Sequence, residues 1–412
     1  MSDLYQQDQK VQKPMSNLQS ANRLLVDAIV SMTDIVESMH HRISPMSRIT
    51  QSPAKERTSG VTGLVYKSIR GLTELVGKGI DVPLGVISQS LGQKELAPSG
   101  AALVSALNGV LGDHLAERQS PLAIPMMFKQ DGKQLDQSAL MDAINKSKGK
   151  LVIMVHGLCM NDLQWQQGEH NHGKALADDL GHAAVYLHYN SGQHVSENGK
   201  TFSHMLEKIV LQANAMDASL QLDISIVAHS MGGLVSRSAY HHAKILGHAW
   251  PDYFKNLIFL GTPHHGAPLE KAGSWLDMLL DIHAYASPLS RLTKIRSAGI
   301  NDLRHGNIVE TDWQARTRFD FSSDKRTPMA LPDNVKCYAV ATTISANSSR
   351  ITEQMVGDGL VPLDSALGKH ENKTFTLQFP RTHQWIGRDI SHMQLLSDPD
   401  IYVAIRHWLA IE

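Results

Sequence analysis

Residues 223–237 read DISIVAHSMGGLVSR, and the reading of the whole chain turns on them. Ile224, Ile226 and Val227 are β-branched, and the run around them is apolar enough for a buried strand. The pattern changes at Gly232-Gly233. Leu234, Val235, Ala239 and Ile245 then recur at helical spacing as far as Gly247, a residue suited to the left-handed backbone that ends a helix. Ser230 therefore falls on a turn from strand to helix. A turn this sharp holds its serine in strained backbone and pushes the hydroxyl out beyond the sheet. Strand and helix nearly collide there, so the positions two before and two after must be small. They are Ala228 and Gly232, which makes the motif A-x-S-x-G, the G-x-S-x-G pattern with one added methyl. Five residues alone recur by chance. The strand before and the helix after mark Ser230 as a candidate nucleophile rather than an ordinary turn serine.

Outward from this stretch, strands and helices alternate. LVIMVHG, residues 151–157, is a continuous apolar run ending in His156-Gly157. Further strands are expected over 183–188, 256–261, 335–343 and 374–379, with helices over 138–146 and 202–213. Asp131-Gly132 signals a hairpin between 123–129 and 133–135. This order predicts an α/β fold, a mainly parallel sheet with helices on both faces. Ligands of such sheets bind beyond the carboxyl ends of the strands, where Ser230 falls. Over 266–328 the strand pattern lapses. Trp275, Leu276, Leu279, Leu280 and Tyr285 make this stretch apolar, and 289–295 has helical spacing. It reads equally as a lid-like insertion over an acyl pocket and as an excursion packed on the core.

The amino-terminal part reads differently. Residues 1–20 are polar and are expected to be a disordered tail. Leu25, Ile29, Met32, Val36, Met39 and Ile43 share one helical face, and Val65, Ile69, Leu72, Val76 and Ile80 share another. Residues 84–91 and 103–115 are further helical candidates. The expected organisation is a helical region over 21–120 and a catalytic domain over 121–412. The apolar stripes need cover, either from the catalytic domain or from a membrane surface met by Lys67, Arg70 and Lys78. The net charge of −1 over 412 residues gives no field that would favour nucleic acid. Cys159 and Cys337, the only cysteines, form no C-x-x-C, which argues against a disulfide framework or structural zinc. The start, MSDLYQQDQKVQKP, lacks the apolar core of a signal peptide. A cytoplasmic protein is expected, or one peripheral on the cytoplasmic face of a membrane.

LVIMVHGL, IVAHSMGGLVSR, FLGTPHHGAP, VGDGLVP and SHMQLLSDPDIY follow one another in the order expected of an α/β-hydrolase. Together they resemble the lipase and esterase branch, which includes the GPI-inositol-deacylase-like hydrolases. The resemblance spans roughly residues 122–412 and leaves out the amino-terminal helices. It implies a chain order of serine, acid, histidine. A serine hydroxyl is a poor nucleophile until a histidine takes its proton, and that histidine needs a carboxylate to fix its tautomer. Asp358, with Gly357 and Gly359 letting the chain turn tightly, is the expected acid, and Asp364 and Asp389 are its alternatives. His392 is the expected base, because the family's histidine precedes a helix as His392 precedes Pro399. His383 competes with it. The oxyanion hole takes one N–H from Met231, directly after the nucleophile. The resemblance places the second donor at Leu158. His156 reads as a structural hydrogen-bonder, and Cys159 as packing.

The pairs His264-His265, His170-x-His172 and His241-His242 offer no set of three or four metal ligands, and H-E-x-x-H is absent. No Walker loop appears, and no G-x-G-x-x-G follows a strand. Chemistry without metal or cofactor is expected. The sequence thus predicts a serine hydrolase that cleaves apolar or lipid-like carboxylic esters through an acyl-enzyme on Ser230. An acyltransferase or thioesterase with the same triad, or a non-catalytic lipid-binding protein on this fold, would share these motifs.

Overall fold

The computed structural model describes residues 98–267, 297–314, 324–344 and 357–411. The stripes over 25–43 and 65–80 and the middle of the 266–328 insertion lie outside them. The apolar runs form strands β3 (Lys150–Val155), β4 (Ala183–His188), β5 (Asp223–His229), β6 (Phe254–Leu260) and β7 (Lys336–Thr343). The short hairpin strands β1 (Met127–Gln130) and β2 (Lys133–Gln134) precede them, and β8 (Gln384–Arg388) follows. Among the described residues they make one sheet in the order β2-β1-β4-β3-β5-β6-β7-β8. It is parallel from β4 to β8, and β1 pairs antiparallel with β2 and β4.

β5 lies in the middle, with Val227 opposite Met154 on one side and Ile258 on the other. Its residues from Ile224 on are buried, as a strand covered on both faces requires. On one face Val152, Met154, Val227, Ile258, Leu260, Tyr338 and Val340 pack with Leu176, Ile401, Ile405 and Trp408. The last four come from helices α3 (His172–Leu180) and α9 (Pro399–Ala410). Strand alternation turns Ile224, Ile226 and Ala228 to the opposite face. Helices α4 (Val195–Met216) and α5 (Met231–Leu246) pack against each other, and α5 follows β5 directly. Each buried Leu, Ile or Phe stabilises this packing by about 1.5–3 kcal/mol of transfer free energy.

Some segments differ from the sequence expectation. Residues 374–379 form no strand. Asn372 takes the Thr374 N–H on its side chain and caps a 3-10 turn over Lys373–Phe375, and Leu377 donates to Gly368 instead of to a ladder. The last strand is β8, with the sequence QWIGR, too short to show a period. Helix α4 (Val195–Met216) runs longer than the predicted 202–213, and so does helix α1 (Pro98–Glu117) against 103–115. The chain divides into compact units at Ala101/Ala102, within this helix. From Ala102 on, α1 belongs to the sheet unit: Leu103, Leu107, Val110, Leu111 and Leu115 are buried. The Gly112 carbonyl accepts from Asn190 Nδ2 at 2.8 Å, and the Gly109 carbonyl from Ser297 Oγ at 2.7 Å. Within the insertion, α6 (Ala298–His305) buries Ile300 and Leu303 and is followed by the short α7 (Glu310–Gln314). No helix of the described residues is long and apolar enough to cross a membrane.

Candidate active site

Ser230 sits between the last bond of β5 and the first turn of α5. Its N–H donates to Leu260 O at 2.9 Å, and its C=O accepts from Gly233 N–H at 3.1 Å. These constraints hold it at φ 53°, ψ −123°, a region that costs about 1–3 kcal/mol outside glycine. A Cβ on Gly232 would lie 2.5 Å from Val155 O and 2.8 Å from His156 O, so the turn admits only glycine there.

Asp358 lies on a turn between β7 and the short helix α8 (Leu363–Ala366), with Gly357 at φ 53° and Gly359 at φ 94°. Both flanking values favour glycine. The turn aims two backbone donors at one carboxylate oxygen: Leu360 N–H at 3.0 Å and Val361 N–H at 2.8 Å reach Oδ1. The other oxygen, Oδ2, accepts from His392 Nδ1 at 2.7 Å, and Asp358 O accepts from His392 N–H at 3.0 Å. Both side chains are 1% exposed. A carboxylate only accepts, so Nδ1 carries the proton and Nε2 keeps its lone pair. That Nε2 is buried and has no partner among the described residues. A Cβ on Gly261, just past β6, would stand 2.9 Å from Asp358 Oδ2 and 3.1 Å from His392 Cε1. The pair therefore rests on the end of β6, beside the strand end that carries Ser230.

The alternatives lie elsewhere. His383, on the 3-10 turn Arg381–His383, donates Nδ1–H to Cys337 O at 3.1 Å, near the amino end of β7 and so at the far end of the sheet. Asp364 pairs with Lys369 at 3.6 Å and is 41% exposed, and Asp389 is exposed. Replacing His392 by Ala should therefore abolish turnover, whereas His383→Ala should keep most of it in the same ester assay. Reversed phenotypes would move the base to His383.

The loop after β3 closes over the serine. A Cβ on Gly157 would lie 3.0 Å from Ser230 Cβ. Leu158 and Met231 lend no N–H to any acceptor among the described residues. Several bonds shape the loop around Leu158. His156 donates Nδ1–H to Gly157 O at 2.8 Å and accepts the Tyr189 N–H on Nε2 at 3.4 Å. Tyr189 donates its hydroxyl to His156 O at 2.8 Å and stacks on the His156 ring at 4.3 Å. Cys159 N–H donates to Ser191 Oγ at 3.0 Å. Burial pushes His156 down to about 4 and the Cys159 thiol up to about 12, so the imidazole is neutral and the thiol is no nucleophile near neutral pH. Tyr189 and Ser191 are contributors that sequence reasoning missed. They follow β4 and carry no periodic signal of their own.

The other histidine pairs are spoken for. His170 Nε2 and His172 Nδ1 share a hydrogen bond of 2.7 Å. His264 Nδ1 accepts from Arg237 at 3.3 Å, and His265 Nδ1 from Arg326 at 3.4 Å. His241 and His242 meet edge to face. Among the described residues no three His, Cys, Asp or Glu side chains are grouped to hold a metal ion.

Residues 146–344, which carry Ser230 and the loop after β3, match the model of the family described as PGAP1-like alpha/beta domain. Asp358 and His392 lie beyond the matched stretch. Among solved structures, the chain is similar to the mature lipase BlEst2 of Bacillus licheniformis. That likeness has 17% identity and a TM-score of 0.42, over 70% of this chain and 98% of that one. It is also similar to lipase B of Aspergillus fumigatus, with 15% identity and a TM-score of 0.34 over 65% and 56%. A third is the NocB thioesterase domain, with 14% identity and a TM-score of 0.33 over 65% and 97%. No curated protein matches the chain significantly.

Proposed function

We propose that this protein is an α/β-hydrolase that cleaves carboxylic esters with an apolar or lipid-like acyl part, through an acyl-enzyme on Ser230. The observation that carries this reading is the buried Asp358–His392 pair, 2.7 Å apart, whose free Nε2 stands at strand ends shared with a strained serine.

His392 Nε2 takes the Ser230 proton as Oγ attacks the ester carbonyl carbon. The carbonyl π pair moves onto oxygen, and the N–H groups of Leu158 and Met231 meet that developing charge. Asp358 steadies the imidazolium and does not itself take the proton. Collapse of the tetrahedral intermediate breaks the bond to the alcohol oxygen, which leaves with the proton from His392. Water then enters. His392 takes one of its protons, the hydroxyl attacks the acyl carbon, and the second collapse frees the carboxylic acid and returns the proton to Ser230. The strain at Ser230 is paid for by the fold before substrate arrives, so its hydroxyl needs no reorganisation.

The test treats the purified protein with a fluorophosphonate probe and then with a chain-length series of acyl esters and thioesters. Labelling at Ser230 and turnover of medium or long acyl esters are expected. Absence of both would favour a non-catalytic binding protein. Preference for thioesters, or transfer to an added alcohol in place of water, would favour a thioesterase or an acyltransferase.

A further inference from the structure

The loop that carries His392 is gripped by two other histidines. Residues 391–396 form a tight turn, with Gln394 N–H on Ser391 O and Leu396 N–H on Met393 O. The carbonyls of His392 and Leu395 take no part in that turn. Each accepts a hydrogen bond from a buried imidazole: His229 Nε2 reaches His392 O at 3.1 Å, and His172 Nε2 reaches Leu395 O at 3.0 Å. Neither imidazole has any solvent exposure.

A carbonyl only accepts, so both Nε2 atoms carry hydrogen and both Nδ1 atoms are lone pairs. His172 Nδ1 accepts from His170 Nε2, and Tyr402 stacks on the His172 ring at 5.9 Å. His229 lies against the His392 ring at 4.5 Å, with the edge of Trp165 behind it at 6.4 Å. The Leu395 side chain, fully buried, reaches the same Gly261 that the His392 ring borders. Fixing the Leu395 carbonyl therefore fixes the floor under the His392 imidazole.

We propose that His172 and His229 are positioning residues for His392: their Nε2–H groups hold the main chain at the His392 and Leu395 carbonyls and keep the catalytic imidazole in line between Asp358 and Ser230. This rests on the reading of Ser230, Asp358 and His392 as a triad. The Asp358 carboxylate sets the Nδ1 end of the ring, and the Asp358 carbonyl takes the His392 N–H. These bonds hold the amino side of His392 and leave its carbonyl and the Leu395 side of the turn to the two imidazoles, and a proton-transfer group displaced by about 1 Å loses roughly 10²-fold in rate. Neutral imidazole suits the task. It is stiff, it reaches a carbonyl several ångströms from its own backbone, and it brings a donor to a dry site without burying a charge.

The test uses the full chain and reads kcat and KM on a short ester, the rate of fluorophosphonate labelling, and Tm. His172→Leu and His229→Leu remove the donor. Each should lower kcat and the labelling rate about 10–100-fold, the scale of lost outer supports at other catalytic centres, with KM within about twofold. His172→Gln and His229→Gln place an amide N–H near the Nε2 position and should recover kcat to within about threefold. Asn is too short to reach and should behave as Leu does, which keeps the comparison open if a Leu variant fails to fold. Variants that lower Tm but keep kcat, or Gln variants as slow as Asn, would overturn the positioning role. A wild-type chain that neither labels nor turns over would overturn the triad itself, and the positioning role with it.

Discussion

Ser230→Ala is expected to lower the proposed ester hydrolysis by a factor of ~10⁴–10⁶, the scale on which hydrolases lose turnover when a triad member is deleted. The fold should survive. The positive φ of Ser230 is set by bonds on both sides of it, to Leu260 O and from Gly233 N–H, and neither uses the hydroxyl. The variant should therefore melt within a few degrees of the parent and fail to take a fluorophosphonate. Adding His392→Ala should cost nothing more, because the groups act as a unit. Retention of more than about a tenth of the activity would place the nucleophile elsewhere.

The second large effect is on stability. Burial pushes His156 and His172 down to about 4 and holds His229 and His264 well below the ordinary histidine value. In the unfolded chain each takes up a proton near pH 6.5. Below that pH the unfolded state binds more protons than the folded one, so stability falls as pH falls. Above about pH 8 these groups are neutral in both states and contribute no slope. At pH 5, His156 and His172 each cost about 2 kcal/mol, from one and a half pH units at 1.36 kcal/mol each. Together that is a large share of the ~5–15 kcal/mol that separates folded from unfolded protein. His194 works the other way. Burial opposes its charge, but the Asp302 carboxylate 2.9 Å away outweighs burial and raises its value. It is one raised ring against eleven lowered ones among the described residues. Thermal melts at pH 7.5, 6 and 5 should show Tm falling by on the order of 10 °C across the series. A Tm unchanged down to pH 5 would mean that these rings titrate freely in the folded protein.

What the sequence determined by itself is local. The apolar runs over 151–157 and 223–229, the turn at Ser230, the αL stop at Gly247 and the glycine-flanked Asp358 depend on neighbours a few residues away. Period, turn chemistry and left-handed backbone are written at that range. The parallel α/β architecture follows from the alternation of such runs. Tertiary structure alone decided the rest. Asp358 pairs with His392 and not with His383, although both histidines fall in the same stretch after β7, because only the end of β7 and the turn at Asp358 define which imidazole is near. Residues 374–379 have strand composition, yet the side-chain cap at Asn372 starts a 3-10 turn there and the edge of β7 is taken by β8 instead. The His172–Leu395 and His229–His392 bonds join residues 223 and 163 positions apart. A hydrogen bond across that distance leaves no period and no turn signal in the chain. It exists only once the sheet has brought the two ends together.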